Sequence, residues 1–160
     1  YVAWAEWLGS LPYVDASRIG VEGFSFGGTT TSMLVLRYPQ YFCCGIAGGG
    51  VYDWNLYDSH YTERFMDTPQ ANPEGYRIAS VLSYTEGLEN PGYLRITHGT
   101  GDDNVHFQNT LLLVDALQKA GVQFELMIYP DGMHGYRGAQ KKHSDESDHL
   151  FWTRHLLKGE

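Results

Sequence analysis

Between Arg18 and Tyr38 a short apolar run, with Ile19 and Val21 on one face, meets the turn Gly23-Phe24-Ser25-Phe26-Gly27-Gly28 and passes into a helical stretch that Pro39 stops. A strand that enters a helix through so tight a turn belongs to a βα unit, and βα units build parallel sheets. Ser25 stands at the centre of a G-x-S-x-G pattern. In such a turn the serine is strained, and glycine is expected two residues away on each side so that strand and helix can approach. The turn lifts the hydroxyl above the sheet edge and aims the next peptide N–H, that of Phe26, at a developing oxyanion. Glycine-rich turns of this kind also bind phosphate. Here no P-loop lysine follows, and Thr29-Thr30-Thr31 continue the helix.

The same alternation runs through the chain. Val2–Leu8 reads as a helix closed by Gly9, Arg18–Gly23 as the first strand and Gly28–Tyr38 as the second helix. Cys43–Ala47 reads as a strand ending in the triple glycine Gly48–Gly50, followed by an aromatic-rich excursion over 51–72 and a short helix over Pro73–Leu82. Tyr93–Thr97 and Val122–Tyr129 complete four strands, with an amphipathic helix over Phe107–Ala120 between them and a last helix over Ser144–Leu157. The expected class is α/β, a mostly parallel sheet with crossover helices and its functional loops at the strands' carboxyl ends.

Composition narrows the partners. Nineteen acidic against eleven Lys and Arg residues leave a formal charge of −8, so no basic face is available for nucleic acid or an anionic membrane. No apolar run approaches the length of a membrane span, and no signal-peptide pattern opens the chain at Tyr1. At 160 residues one domain with a sizeable core is expected, without disulfide staples. Cys43 and Cys44 are adjacent, bridge only through a strained ring, and read as two small strand residues on opposite faces. The nineteen glycines are more than the typical ~7% share and cluster where the backbone turns sharply.

A serine hydroxyl attacks only when a neighbouring base takes its proton and a third group fixes that base. In chains of this type the partners follow in the order Ser, acid, His. His134, in Asp131-Gly132-Met133-His134-Gly135, follows the fourth strand on a glycine-flanked loop and is the expected base. Asp102 or Asp103 follows the third strand and is the expected acid; spacing does not choose between them. His60 and His106 are expected to line the site, and His98, at a strand end, to be hydrogen-bonded structure. His143, His149 and His155 recur every six residues, which scatters them around a helix, so no metal site is expected.

Three segments carry a family resemblance. The run Gly23 to Gly28, the segment Tyr57-Asp58-Ser59-His60-Tyr61-Thr62-Glu63-Arg64-Phe65-Met66, and His98-Gly99-Thr100-Gly101-Asp102-Asp103-Asn104-Val105-His106-Phe107-Gln108 are together similar to the prolyl oligopeptidase family of serine peptidases, on its dipeptidyl-peptidase branch. The second and third segments are far more specific than the serine motif. The resemblance implies that the chain is the carboxyl-terminal portion of an α/β-hydrolase peptidase domain, the later half of its sheet. It implies Ser25 as nucleophile, Asp102 rather than Asp103 as acid, His134 as base and the Phe26 N–H as one oxyanion donor. Val51, Trp54, Tyr57, Tyr61 and Val105 would wall the pocket for the residue before the scissile bond, and Asn104 would contact a substrate carbonyl. A flat aromatic pocket suits a proline ring. Glu63 and Arg64 would form an ion pair under that pocket.

The implied activity is release of N-terminal dipeptides after Pro or Ala, with no cofactor, on peptides with a free amino terminus. Other implied partners are the rest of the hydrolase domain, an N-terminal β-propeller bearing the amino-terminus anchors, and a second copy in a homodimer. The implied settings are periplasmic, secreted or membrane-anchored. A second oxyanion donor, a tyrosine hydroxyl, would come from a segment before the nucleophile. The alternatives are another peptidase or esterase with the same triad and a non-catalytic binding or dimerisation relative. The strand at Arg18–Gly23 is expected to be a sheet edge covered by residues outside this chain or by another chain.

Overall fold

The computed structural model describes residues 1–86 and 92–157. Its centre is a four-stranded, all-parallel sheet of β1 (Gly20–Phe24), β2 (Cys44–Gly48), β3 (Tyr93–Gly99) and β4 (Phe124–Tyr129), in the order β1-β2-β3-β4. The helices are α1 (Val2–Gly9), α2 (Phe26–Arg37), α3 (Ser59–Met66), α4 (Pro73–Ala79), α5 (Gln108–Lys119) and α6 (Gly138–Trp152). The expected elements are therefore present, with boundaries moved by a few residues. α2 begins at Phe26, directly on the serine, and α6 begins six residues before its expected start at Ser144.

Period-two alternation assigns the two faces of the sheet. Ala47, Leu94 and Ile96 join Leu34, Val35 and Leu36 of α2 and Leu113 and Leu117 of α5 in the main core. The opposite set, Cys44 and Ile46, packs against Phe151, with Trp152 and Leu156 at its margin. Burial of each such aliphatic side chain is worth roughly 1.5–3 kcal/mol. Arg95 of β3 also points to the α6 face, where it bonds Asp148 Oδ1 at 3.0 Å, Glu125 Oε2 at 3.2 Å and Ser147 Oγ at 2.6 Å. Burial of that guanidinium is tolerable because each bond to it is charge-assisted or made by a hydroxyl.

One expectation needs correction, that for the cysteines, and two other segments take more definite form. Within the aromatic excursion over 51–72 a 3₁₀ turn spans Trp54–Leu56 and α3 follows, started by Asp58, whose carboxylate accepts the Tyr61 N–H at 2.8 Å. The cysteines do not take opposite faces. Cys43 lies just before β2, where the alternation has not begun, and the two free thiols sit 3.6 Å apart at the same cluster, burial pushing that of Cys44 up. In α1 only Ala5 is buried; Trp4 and Trp7 pair edge to face in the open. β1 pairs with β2 alone, and no strand among the described residues lies on its outer edge. No described helix is long and apolar enough to cross a membrane.

Candidate active site

The four strand ends deliver the candidate residues to one rim of the sheet, as parallel sheets do. β1 ends at Phe24 and Ser25 follows with φ 60° and ψ −122°, a left-handed conformation that a non-glycine residue holds only under external restraint. The restraint comes from the neighbours. The Ser25 N–H donates to the carbonyl of Gly48 at 2.8 Å, and the Ser25 carbonyl accepts from the N–H groups of Gly28 and Thr29 as α2 begins. A Cβ at residue 23 would sit 2.3 Å from the Gly27 carbonyl oxygen, and one at residue 28 would sit 2.5 Å from that of Gly48. Gly27 has open space where its Cβ would be. The close approaches thus rest on Gly23 and Gly28, and the expectation of a steric need at Gly27 is corrected. Phe26 is the first residue of α2, so its N–H has no carbonyl one turn back and is free to donate elsewhere.

His134 comes from the loop after β4. Its Nε2 lies 2.9 Å from Ser25 Oγ and its Nδ1 lies 2.7 Å from Asp102 Oδ2. The loop is tied to its neighbour by the Gly101 N–H on the Gly132 carbonyl, the Thr100 N–H on the Tyr129 carbonyl and the Asp131 N–H on Thr100 Oγ1. The Phe24 ring packs against the imidazole with centroids 5.2 Å apart. Asp102 is buried, and its Oδ1 accepts the N–H groups of Asn104 at 3.0 Å and Val105 at 2.9 Å. Asp103 is exposed. Of the two neighbouring aspartates, it is Asp102 that meets His134.

Beside the serine, Val51, Trp54, Val105 and Tyr76 form a buried cluster with Tyr57, Met66 and Ala79 at its edge. Trp54 stacks on Tyr61 at 6.3 Å, Tyr57 meets both edge to face, and Phe26 reaches Trp54 at 5.9 Å. The Tyr57 hydroxyl donates to Asn104 Oδ1 at 2.9 Å, which fixes that amide and leaves its NH₂ to donate. A cavity of about 500 Å³ opens between α2 and α3, where it shares Phe26, Trp54 and Tyr61 with this cluster; Ser25 and His134 do not line it.

Sequence reasoning missed the residues that hold the pocket loop. Buried Asn109 accepts the N–H groups of Tyr52 and Asp53 on Oδ1, and Thr29 Oγ1 donates to the Val51 carbonyl at 2.7 Å. Neither carries a local signal, since both act across long sequence separations. The ion pair expected between Glu63 and Arg64 is absent. Both are exposed, and successive helical residues point about 100° apart, so they do not face each other. His60 and His106 are exposed and make no hydrogen bond to Ser25, His134 or Asp102. His98 is buried and hydrogen-bonded as expected, to Thr110 Oγ1 at 2.7 Å and the Val105 carbonyl at 2.8 Å. On and beyond α6, His143 bonds the Tyr129 hydroxyl while His155 packs on Tyr93 and Phe151, so these histidines do not converge.

Known proteins resemble the chain in sequence and fold. A solved structure of Porphyromonas gingivalis dipeptidyl peptidase 4 superposes with a TM-score of 0.92 at 45% identity, over 97% of this chain and 22% of that one. Among curated proteins, one from Fusarium vanettenii named "Probable dipeptidyl-aminopeptidase B" is 46% identical over 136 residues, 84% of this chain and 15% of that protein. One of the same name from Uncinocarpus reesii is 44% identical over 161 residues, 98% of this chain and 17% of that protein. The chain therefore spans about a sixth of the length of these curated relatives. Its four strands correspond to part of the α/β-hydrolase domain of the solved relative. The prolyl oligopeptidase family matches residues 1–160, and the chain belongs to that family.

Proposed function

We propose that the polypeptide carrying this chain is a serine dipeptidyl peptidase that releases N-terminal dipeptides after proline or alanine. The observation that carries the reading is the unbroken hydrogen-bond chain from Ser25 Oγ through His134 to Asp102. His134 Nδ1–H donates to the carboxylate, which leaves Nε2 as the acceptor for the serine proton. As Ser25 Oγ attacks the scissile carbonyl, His134 takes that proton, Asp102 stabilises the imidazolium, and the Phe26 N–H binds the oxyanion. His134 then returns the proton to the leaving amine. Water, deprotonated by the same imidazole, cleaves the acyl-enzyme.

The aromatic walls favour a proline ring, which offers apolar area and no side-chain donor. Val51, Trp54, Tyr57, Tyr61 and Val105 would enclose it, and the Asn104 NH₂ would donate to the carbonyl of the substrate's first residue. One oxyanion donor alone leaves a deficit of about 10²–10³-fold in rate. Residues 1–160 by themselves are therefore expected to show negligible peptidase activity, the second donor and the anchor for the substrate's amino terminus coming from elsewhere in the polypeptide. The test is the full-length protein with a fluorophosphonate probe and two substrates, a Gly-Pro-anilide and a simple ester. Labelling at Ser25 with preference for the anilide is expected. Absence of label would remove the serine mechanism, and preference for the ester would favour an esterase.

A further inference from the structure

The carboxylate of Asp102 has more around it than the histidine it orients. Both backbone N–H bonds fall on Oδ1, so Oδ2 is left to His134 Nδ1 and to one other group, the Nε2 of His98, 3.3 Å away. The His98 side chain is fully buried at the carboxyl end of β3. Its tautomer follows from its partners. The Val105 carbonyl can only accept, so Nε2 carries the hydrogen, and Nδ1 accepts from the Thr110 hydroxyl on α5. Burial holds the imidazole below its ordinary pKa, which keeps it neutral at working pH. The Phe107 ring stands edge-on at 5.6 Å, and the titratable groups acting on the imidazole are Asp102 and His134. Tyr57 and Tyr136 in turn feel the Asp102 charge.

These bonds close a small ring. His98 holds the Val105 carbonyl, the Val105 N–H holds Asp102 Oδ1, and Nε2 lies against Oδ2. We propose that His98 is a positioning residue for the Ser25–His134–Asp102 machinery, a second, permanently neutral imidazole that fixes the Asp102 turn and shares the charge of Oδ2 with His134. The inference rests on the serine-peptidase reading above and adds a fourth member to it. His98 keeps its proton throughout and exchanges none with substrate. Its neutrality matters, because a charged His98 would compete with His134 for the same carboxylate oxygen.

The test uses the full-length protein with a Gly-Pro-anilide and four variants. His98→Phe keeps a ring and removes the N–H; His98→Gln restores a donor and an acceptor; Thr110→Val removes the hydroxyl that fixes the tautomer; Ser25→Ala checks the parent reading. With the Nε2–H gone, Oδ2 concentrates its charge on His134, whose imidazolium then holds its proton to higher pH. For His98→Phe the acidic limb of kcat/KM is expected to move up by about half to one pH unit, with kcat down roughly tenfold and KM little changed. His98→Gln should return both towards wild type, and Thr110→Val should shift the limb in the same direction by less. Circular dichroism and the denaturant midpoint of each variant report folding. If His98→Phe does not fold, Thr110→Val decides: a shifted limb supports the inference and an unshifted one overturns it. An active wild type beside a folded His98→Phe with unchanged kcat and limb also overturns it. A Ser25→Ala protein that turns over normally would instead remove the parent reading.

Discussion

Ser25 Oγ and His134 Nε2 meet at 2.9 Å although 109 residues separate them and their strands, β1 and β4, are the two outermost of the sheet. Three inter-strand spacings of about 4.8 Å set those strands about 14 Å apart. The loop after β4 must therefore lean back across β3 and β2. Asp131 and Gly135 adopt positive φ values of 56° and 125° on either side of the bend, and the bonds to Thr100 and Gly101 hold it down. Asp102, rising from β3 between them, is placed to receive the imidazole on its way.

That placement separates two adjacent aspartates. Asp102→Asn in the full-length protein should lower kcat by about 10⁴-fold, because an amide there favours the wrong imidazole tautomer. Asp103→Asn, at an exposed position outside the hydrogen-bond chain, should leave kcat within about twofold. Steady-state kinetics on a Gly-Pro-anilide distinguishes them, and equal losses would reject the assignment.

The glycines of the serine turn divide in the same way. Gly28→Ala would drive a Cβ to within 2.5 Å of the Gly48 carbonyl oxygen, the group that also receives the Ser25 N–H. Displacing that backbone should cut kcat/KM at least tenfold and cost about 1–3 kcal/mol of stability. Gly27→Ala meets nothing within 4 Å and should be near neutral or slightly stabilising, since alanine is the better helix former. Kinetics and thermal melts of the two variants, side by side, make the comparison.

How much of this was legible beforehand depends on distance along the chain. Ser25, His134 and the four strands were readable because their signals are local: a glycine turn, a loop after an apolar run, a change of period. The choice of Asp102 over Asp103 could not come from spacing, because two neighbouring residues share it; the family resemblance points to Asp102, and burial, the N–H groups of Asn104 and Val105 and the contact with His134 set it apart. Tyr57 and Tyr61 stand four apart, the spacing of a helix face, and Asp58 between them is the N-cap of α3. Hydrogen bonding of His98 was legible from its place at a strand end, whereas Asn109 acts through a partner 57 residues away, and no local pattern records such a bond.

Buried His98 also sets a pH response of the fold. Its pKa is lowered in the native state, chiefly by desolvation, from an ordinary value of 6.5. Below that value the unfolded chain binds the proton more readily, so unfolding is favoured as pH falls. The contribution of His98 is therefore complete above about pH 6.5 and declines as pH drops towards the lower, native value. Denaturant midpoints of the hydrolase-domain transition between pH 7.5 and about 5 should fall for wild type and fall less for His98→Gln. Identical slopes would contradict the assignment.

Arg95 ties β3, β4 and α6 through Asp148, Glu125 and Ser147. Arg95→Leu would leave the Asp148 carboxylate, mostly buried, without its counter-charge, and should cost about 3 kcal/mol; Glu125, more than a third exposed, recovers solvation and adds little. Removing the acid as well, in Arg95→Leu with Asp148→Leu, should regain much of that loss. Chemical denaturation of the single and double variants measures the difference, and a single variant as stable as wild type would show the cluster to be idle.

The outer edge of β1 has a consequence for the chemistry. Among the described residues the strand that presents Ser25 is paired on one side only, whereas those behind the pocket loop and Asp102, β2 and β3, are held on both. Angstrom-scale precision at the nucleophile thus depends on whatever lies against Gly20–Phe24.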